Sequence, residues 1–288
     1  MPQHTLQLPD VDLVYDVHGP LPTTDGRPPL LMIGQPMDAS GFRDQVRLFE
    51  DRTVVTYDPR GLGRSIRKDG GVTNEPQTQA EDLHALIEAL GAGPVDVFGS
   101  SGGAVTALAL VTAHPHDVVT LVAHEPPIDS VLPDAEAVQR ARAAYTQVYQ
   151  DKGWGAGMAA FIAMTSWEGE ITEEFLAQPL PDPAAFGMPT ADDGTREDPL
   201  LSDRSWAVCL YEPDLEALQA APTRLVVAVG EESMRVYTGR TATALAEQLG
   251  QETTVFPSHH GGFMGGEFGY AGQPEAFAAK LREVLDQS

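Results

Sequence analysis

The 288-residue chain is poor in several things, and each absence narrows its function. It has a single cysteine, Cys209, so no internal disulfide is available. A lone thiol between Val208 and Leu210 reads as a buried, inert side chain and fits a reducing, cytoplasmic compartment. Basic residues are scarce: 18 Lys and Arg stand against 42 Asp and Glu, a formal net charge of -24. Such a surface repels phosphate backbones and anionic headgroups, which disfavours nucleic-acid and membrane-surface partners; solubility is the plain reading of the acidity. No apolar run approaches the ~18 residues of a membrane-spanning helix. The opening MPQHTLQLPD lacks the basic-then-apolar order of a secretory signal. His114 and His116 flank a proline, but the sequence sets no third ligand at suitable spacing beside them, and no metal is expected.

What is present is enough apolar residue, 42% of the chain, to bury a substantial core. Short apolar runs alternate with segments of helical period. HTLQL and VDLVYDVHG predict two strands about the Pro9–Asp10 turn, and PLLMIG, TVVTYDPRG, PVDVFG and VVTLVAHEPP predict four more. TRLVVAVGEES and ETTVFPSHH repeat the pattern late in the chain. Between them, SGFRDQVRLFED (with Ser40 as its cap), TQAEDLHALIEALG, GGAVTALALVTAHP, YTGRTATALAEQLG and QPEAFAAKLREVL predict helices. Such alternation makes an α/β fold, a mostly parallel, doubly wound sheet covered on both faces. The alternation stops between about Ile128 and Ala220, where helical periodicity and a proline- and glycine-rich loop take over. The expected organisation is a core of residues 1–127 and 221–288, interrupted by a helical cap over 128–220.

The stretch Gly99-Ser100-Ser101-Gly102-Gly103 fits the pattern G-x-S-x-G with Ser101 at its centre. The pentapeptide alone is common by chance. Here a buried strand runs in and a buried helix runs out, the context in which a sharp turn pushes one side chain into an open crevice. Unpaired N–H groups at the helix start favour developing negative charge there. A helix-capping serine is the plainer alternative. Ser100 lacks a glycine two residues before it, so Ser101 is the candidate nucleophile.

With this elbow in place the chain resembles the α/β-hydrolase family over nearly its whole length. YDPRGLGRS resembles the family's D-x-R-G-x-G-x-S stretch, and IGQPM its H-G-x-P loop, with Ile33 in place of the usual histidine. The resemblance implies oxyanion donors at the backbone N–H groups of Gln35 and Gly102. It also implies a general base after the last strand, where VFPSHHGGF offers His259 and His260; aligned through Pro257 and Gly261–Phe263, His260 fits. Most relatives place the acid after the next-to-last strand, where this chain has Ser233. Two replacements present themselves. Glu231 and Glu232 lie in that same loop, and Glu125 ends the strand after the nucleophile's helix. The Glu125 placement resembles that of zearalenone-type lactone hydrolases. A structural ion pair with an arginine of the insertion is the plain alternative for Glu125.

The function implied is that of a serine hydrolase, an esterase or lactonase acting through Ser101, Glu125 and His260 on a small neutral or hydrophobic substrate, with no cofactor. Trp154, Phe161, Met164 and Trp167 are candidate lining residues, or equally packing within the cap itself. Perhydrolase, haloperoxidase-like and acyl-transfer activities share this set of residues. Dehalogenases and epoxide hydrolases that resemble the chain need an aspartate at position 101. A non-catalytic ligand-binding protein is the alternative of a different class.

Overall fold

A computed structural model describes residues 3–287. The strands are β1 (Gln3–Gln7), β2 (Val11–His18), β3 (Leu30–Gln35), β4 (Val54–Tyr57), β5 (Ile66–Arg67), β6 (Val95–Ser101), β7 (Val118–His124), β8 (Arg224–Gly230) and β9 (Thr254–Phe256). They form one sheet in the order β1-β2-β4-β3-β6-β7-β8-β9, with β5 paired to β2. The pairs made by β1, β2 and β5 are antiparallel, and every pair from β4–β3 to β8–β9 is parallel. The two-residue β5 directly follows the DPRGLGRS stretch and is too short to leave a strand signal.

The helices of the core are α1 (Arg43–Leu48), α2 (Pro76–Leu90) and α3 (Gly102–Ala113), and later α9 (Tyr237–Gln248) and α10 (Pro274–Leu285). Successive strand residues face opposite sides of a sheet, and both sides are covered here. Leu31, Ile33, Val97 and Leu121 pack with α2, α3 and α9, whereas Met32, Phe98 and Val122 pack with Phe42, Phe256, Phe263 and Phe277 on the side of α1 and α10. Two buried faces explain why these strands read as continuous apolar runs. Gly91 ends α2 in the left-handed conformation and Pro274 starts α10. The cap near Ser40 differs from expectation. The Asp38 carboxylate accepts from the Ser40 N–H at 2.9 Å and hydroxyl at 2.6 Å, so Asp38 starts a short 3-10 turn that leads into α1.

Between β7 and β8 lie α4 (Ala135–Lys152), α5 (Trp154–Thr165), α6 (Glu173–Leu176), α7 (Trp206–Cys209) and α8 (Leu215–Ala220). The long antiparallel pair α4–α5 is the helical insertion. Its Val138, Ala141, Tyr145 and Tyr149 join the same apolar cluster as α3. The Asp58–Ser65 segment braces the core as a polar turn. Asp58 accepts from the Ala39 N–H (3.0 Å) and Arg64 N–H (2.7 Å), Ser65 Oγ donates to the Asp58 carbonyl (2.6 Å), and Arg60 grips Asp82 through two 2.6 Å bonds. No helix among the described residues is long and apolar enough to cross a membrane.

Candidate active site

β6 delivers its last residue, Ser101, straight into the first turn of α3. Ser101 has φ 55° and ψ -129°, and its side chain makes no capping hydrogen bond. A left-handed φ on a residue with a Cβ is strained, and it persists only where the surroundings over-determine it. Here they do, because the backbones crowd together. A Cβ at Gly103 would lie 2.5 Å from the Ile33 carbonyl oxygen, and one at Gly99 would lie 2.9 Å from Ala104 Cα. These glycines let β3, β6 and α3 close on one another around Ser101. Ser101 is half-buried, and in the parallel β3–β6 register it sits opposite Gln35.

The acid side comes from the other neighbour of β6. β7 ends at the buried His124, in register with Ser100, and Glu125 follows with φ 49° and no exposed surface. Its carboxylate is held from three elements. Oε1 accepts the Gly230 N–H at 2.8 Å, from the end of β8, and Oε2 accepts the Thr238 hydroxyl at 2.5 Å, from the first turn of α9. The third partner is the His260 ring, whose Nδ1 lies 2.6 Å from Oε2. Burial opposes ionisation of this carboxyl, but the charge and hydrogen bond of His260, with lesser help from the Thr238 hydroxyl, hold it well below the usual carboxylate range. An ionised carboxylate only accepts, so Nδ1 carries the shared proton and the lone pair of a neutral ring is left at Nε2. His260 is half-buried, with Nε2 the nitrogen available for a proton. The Ser101 hydroxyl and the His260 imidazole are not hydrogen-bonded to each other. Such contacts often tighten only when substrate is bound.

The neighbours that sequence could not separate are occupied elsewhere. His259 Nε2 donates to the Ala271 carbonyl (3.0 Å), its Nδ1 accepts from Gly261 N–H (3.0 Å), and its ring packs on Tyr270. Glu231 and Glu232 are exposed; Glu231 Oε1 accepts from the Ser258 N–H at 3.3 Å, and neither carboxylate is bonded to His260. Ser233 is buried in the turn after β8, its N–H on the Gly230 carbonyl. None of the four arginines of the insertion pairs with Glu125. Arg142 is instead buried against Asp129 at 2.8 Å, within a cluster completed by the Tyr145 and Tyr237 hydroxyls.

Sequence reading passed over His124. Its ring is wholly buried behind the acid, 6.0 Å from the His260 ring centre, with Nδ1 3.3 Å from Ser100 Oγ. Nε2 has no hydrogen-bond partner among the described residues and lies 3.8 Å from Glu125 Oε1. Burial pushes its pKa down to about 4, so the ring is neutral near pH 7. The missed signal is the polar letter inside the otherwise apolar run TLVAHEPP.

The four cap side chains expected as lining pack in or against the apolar cluster shared with α3, and their polar and ring contacts are to other residues of the insertion. Met164 is buried in the apolar cluster, and Phe161 packs edge-on against Tyr145. The Trp154 indole donates to Asp198 at 2.9 Å, and Trp167 packs on Phe175 while donating to the Glu170 carbonyl. Burial pushes the Cys209 thiol up to about 11, as suits an unreactive side chain.

His114 does have spatial partners that its spacing to His116 hides. His84, His114 and Asp117 bring their ligand atoms within 4.8 Å of one another. The two imidazoles stack face to face, 3.8 Å apart and 6° from parallel, and each already bonds a carboxylate: His84 to Asp117 (2.7 Å) and His114 to Glu81 (3.0 Å). A nitrogen lone pair lies in its ring plane, and two parallel planes 3.8 Å apart cannot both contain one ion. The arrangement is a hydrogen-bonded bridge between α2 and the turn that follows α3.

Comparison with known proteins agrees with this architecture. Over 289 aligned residues the chain is 29% identical to YraK, an uncharacterized hydrolase of Bacillus subtilis strain 168, covering 98% of this chain and 96% of that protein. A thermophilic esterase from Thermogutta terrifontis superposes with a TM-score of 0.65 at 20% identity, covering 100% of this chain and 99% of the other. Est816, an N-acyl homoserine lactone degrading enzyme, gives 0.61 at 19% identity, with 98% and 99% covered. At these identities the structural likeness speaks for the fold. Residues 17–280, from within β2 to within α10, match the alpha/beta hydrolase family, and the chain belongs to that family.

Proposed function

We propose that the protein hydrolyses carboxylic esters or lactones through a Ser101–His260–Glu125 triad. The observation that carries this reading is the 2.6 Å pairing of the buried Glu125 carboxylate with His260 Nδ1, one strand over from the strained Ser101 elbow. Ser101 Oγ attacks the substrate carbonyl carbon while His260 Nε2 takes its proton, and Glu125 stabilises the imidazolium that forms. The N–H groups of Gln35 and Gly102 hold the oxyanion, the latter aided by the positive end of α3. His260 then returns the proton to the leaving alkoxide; in a lactone that alkoxide stays tethered to the acyl group. Water attacks the acyl-enzyme with His260 as base, and Ser101 is released. The insertion over residues 128–220 covers the crevice and sets the shape of the acceptable substrate, which the acidic surface biases towards neutral molecules.

The test is turnover of a panel of 4-nitrophenyl esters and lactones by the wild type and by Ser101→Ala. The wild type should hydrolyse members of the panel, and Ser101→Ala should lose roughly 10⁴-fold or more in kcat. A wild type indistinguishable from buffer across the panel contradicts the proposal, as does an unimpaired Ser101→Ala.

A further inference from the structure

Gln35 is 3% exposed, and neither Nε2 nor Oε1 of its side-chain amide has a hydrogen-bond partner among the described residues. The other two buried glutamines are different. Their Oε1 atoms also lack a partner, but Gln45 Nε2 donates to the Phe263 and Pro274 carbonyls at 2.9 and 3.1 Å, and Gln79 Nε2 reaches the Asn74 carbonyl at 3.4 Å, so Gln35 alone of the three has both ends unpaired. A primary amide carries two N–H donors and a two-lone-pair acceptor, and burying it unpaired is unfavourable. A leucine or methionine would fill the same space without that cost.

The place of this amide is informative. Gln35 continues the alternation of Leu31 and Ile33, so its side chain leaves the sheet on the face of α3 and the insertion. A Cβ at Gly102 would lie 3.1 Å from Gln35 Cβ and 3.1 Å from Val208 Cγ1, so Gln35 and Val208 of α7 in the insertion both lie against the start of α3. The sheet order β3-β6-β7-β8 then sets its side of the substrate. His260 and Glu125 approach Ser101 from the β7–β8 side, whereas Gln35 stands on the β3 side. The leaving group must lie near His260 to receive its proton, so the acyl group extends towards Gln35.

We propose that the Gln35 side-chain amide is a specificity-determining group that selects acyl groups bearing a hydrogen-bond donor and acceptor close to the carbonyl, an acylamino group foremost, over plain alkyl chains. This rests on the ester hydrolase reading above. The side-chain role is separate from that of the Gln35 backbone N–H, which any residue but proline would supply.

The experiment compares kcat/KM for 4-nitrophenyl N-acetylglycinate and 4-nitrophenyl pentanoate, whose acyl chains are of equal length. Each enzymatic ratio is divided by the ratio of the two hydroxide-catalysed rates, which removes intrinsic reactivity. The wild type should favour the acylamino ester by about tenfold or more on this corrected scale, and Gln35→Met should lose that preference. A purely structural role for Gln35 would depress both esters alike and leave the ratio unmoved. If Gln35→Met does not fold, the wild-type ratio decides alone. A corrected wild-type ratio near one, or the same ratio in wild type and Gln35→Met, overturns the proposal while leaving the esterase reading intact. A wild type that hydrolyses neither these esters nor any other overturns both.

Discussion

Glu125 Oε2 and His260 Nδ1 meet at 2.6 Å across 135 residues of chain, while the turn after β8 carries the buried Ser233. The β8 side nonetheless contributes: Gly230 N–H and Thr238 Oγ1 both donate to the carboxylate that β7 presents. Replacing Glu125 by glutamine keeps the shape but removes the charge and the acceptor that fixes the His260 tautomer. Glu125→Gln should therefore lower kcat by roughly 10⁴-fold, as loss of the corresponding charge does in serine proteases. A Glu231→Ala, Glu232→Ala double variant should remain close to wild type. Ester turnover lost only in the loop pair would show that the acid has been misassigned.

Thr238 offers a subtler probe. Its hydroxyl bonds a charged group, and such bonds contribute about 1.5–3 kcal/mol, so Thr238→Val should cost roughly tenfold or more in kcat/KM. The loss of this donor also moves the Glu125 pKa upward, and activity should then fall away at higher pH on the acid side. Thr238→Ser restores the donor and should restore both properties. Equal pH profiles for the valine and serine variants would count against the brace.

The neutral, buried His124 makes stability depend on pH with a definite sign. Its folded pKa of about 4 lies below the ordinary histidine value of 6.5, so the unfolded chain binds more protons between these values. Stability from this group is complete above 6.5 and is lost as pH falls towards 4, up to about 3 kcal/mol. Glu125, with its lowered pKa, also loses stability in acid, but only below its ordinary value near 4.5. His84 runs the other way. Its hydrogen bond to Asp117 raises its pKa, so its contribution is lost as pH rises. Comparing variant with wild type cancels both of these. Urea midpoints measured from pH 7 to pH 5 should fall less in His124→Phe than in the wild type; parallel curves would rule out the buried ring as their cause.

Arg142 tests the anchoring of the insertion. Asp129 has no exposed surface, and Arg142 is the cation that compensates it. Removing one partner of a buried pair typically costs 3–5 kcal/mol, so Arg142→Met should be destabilised by about that amount. Asp129→Asn in the same background removes the stranded charge and should recover part of the loss. Thermal melts of the two variants check both statements, and an Arg142→Met protein as stable as wild type would show the pair to be dispensable.

The core was legible in the sequence because its strands are buried on both faces and its helices carry ordinary stop signals, such as Gly91 and Pro274. The elbow was legible because glycines on either side of Ser101 are demanded by backbone contact. The carboxylate that pairs with His260 was not uniquely legible. Glu125, Glu231 and Glu232 are the same residue type at the same end of neighbouring strands, and only the third dimension sets one of them on His260. His259 and His260 posed the same difficulty, which hydrogen bonding to Ala271 and Gly261 separates. Long-range pairings such as Arg142–Asp129 and His84–Asp117, and the buried ring of His124, leave no periodic trace. The unpaired amide of Gln35 likewise emerges only from packing.

The central claim is that Ser101 is an activated nucleophile, and reaction with a fluorophosphonate followed by peptide mass mapping tests it directly. The wild type should gain one phosphonyl group per chain, carried on Ser101, with the adduct absent in Ser101→Ala and formed more slowly in Glu125→Gln. A wild-type protein that stays unlabelled, or that carries the group on Ser100 or elsewhere, would contradict the account.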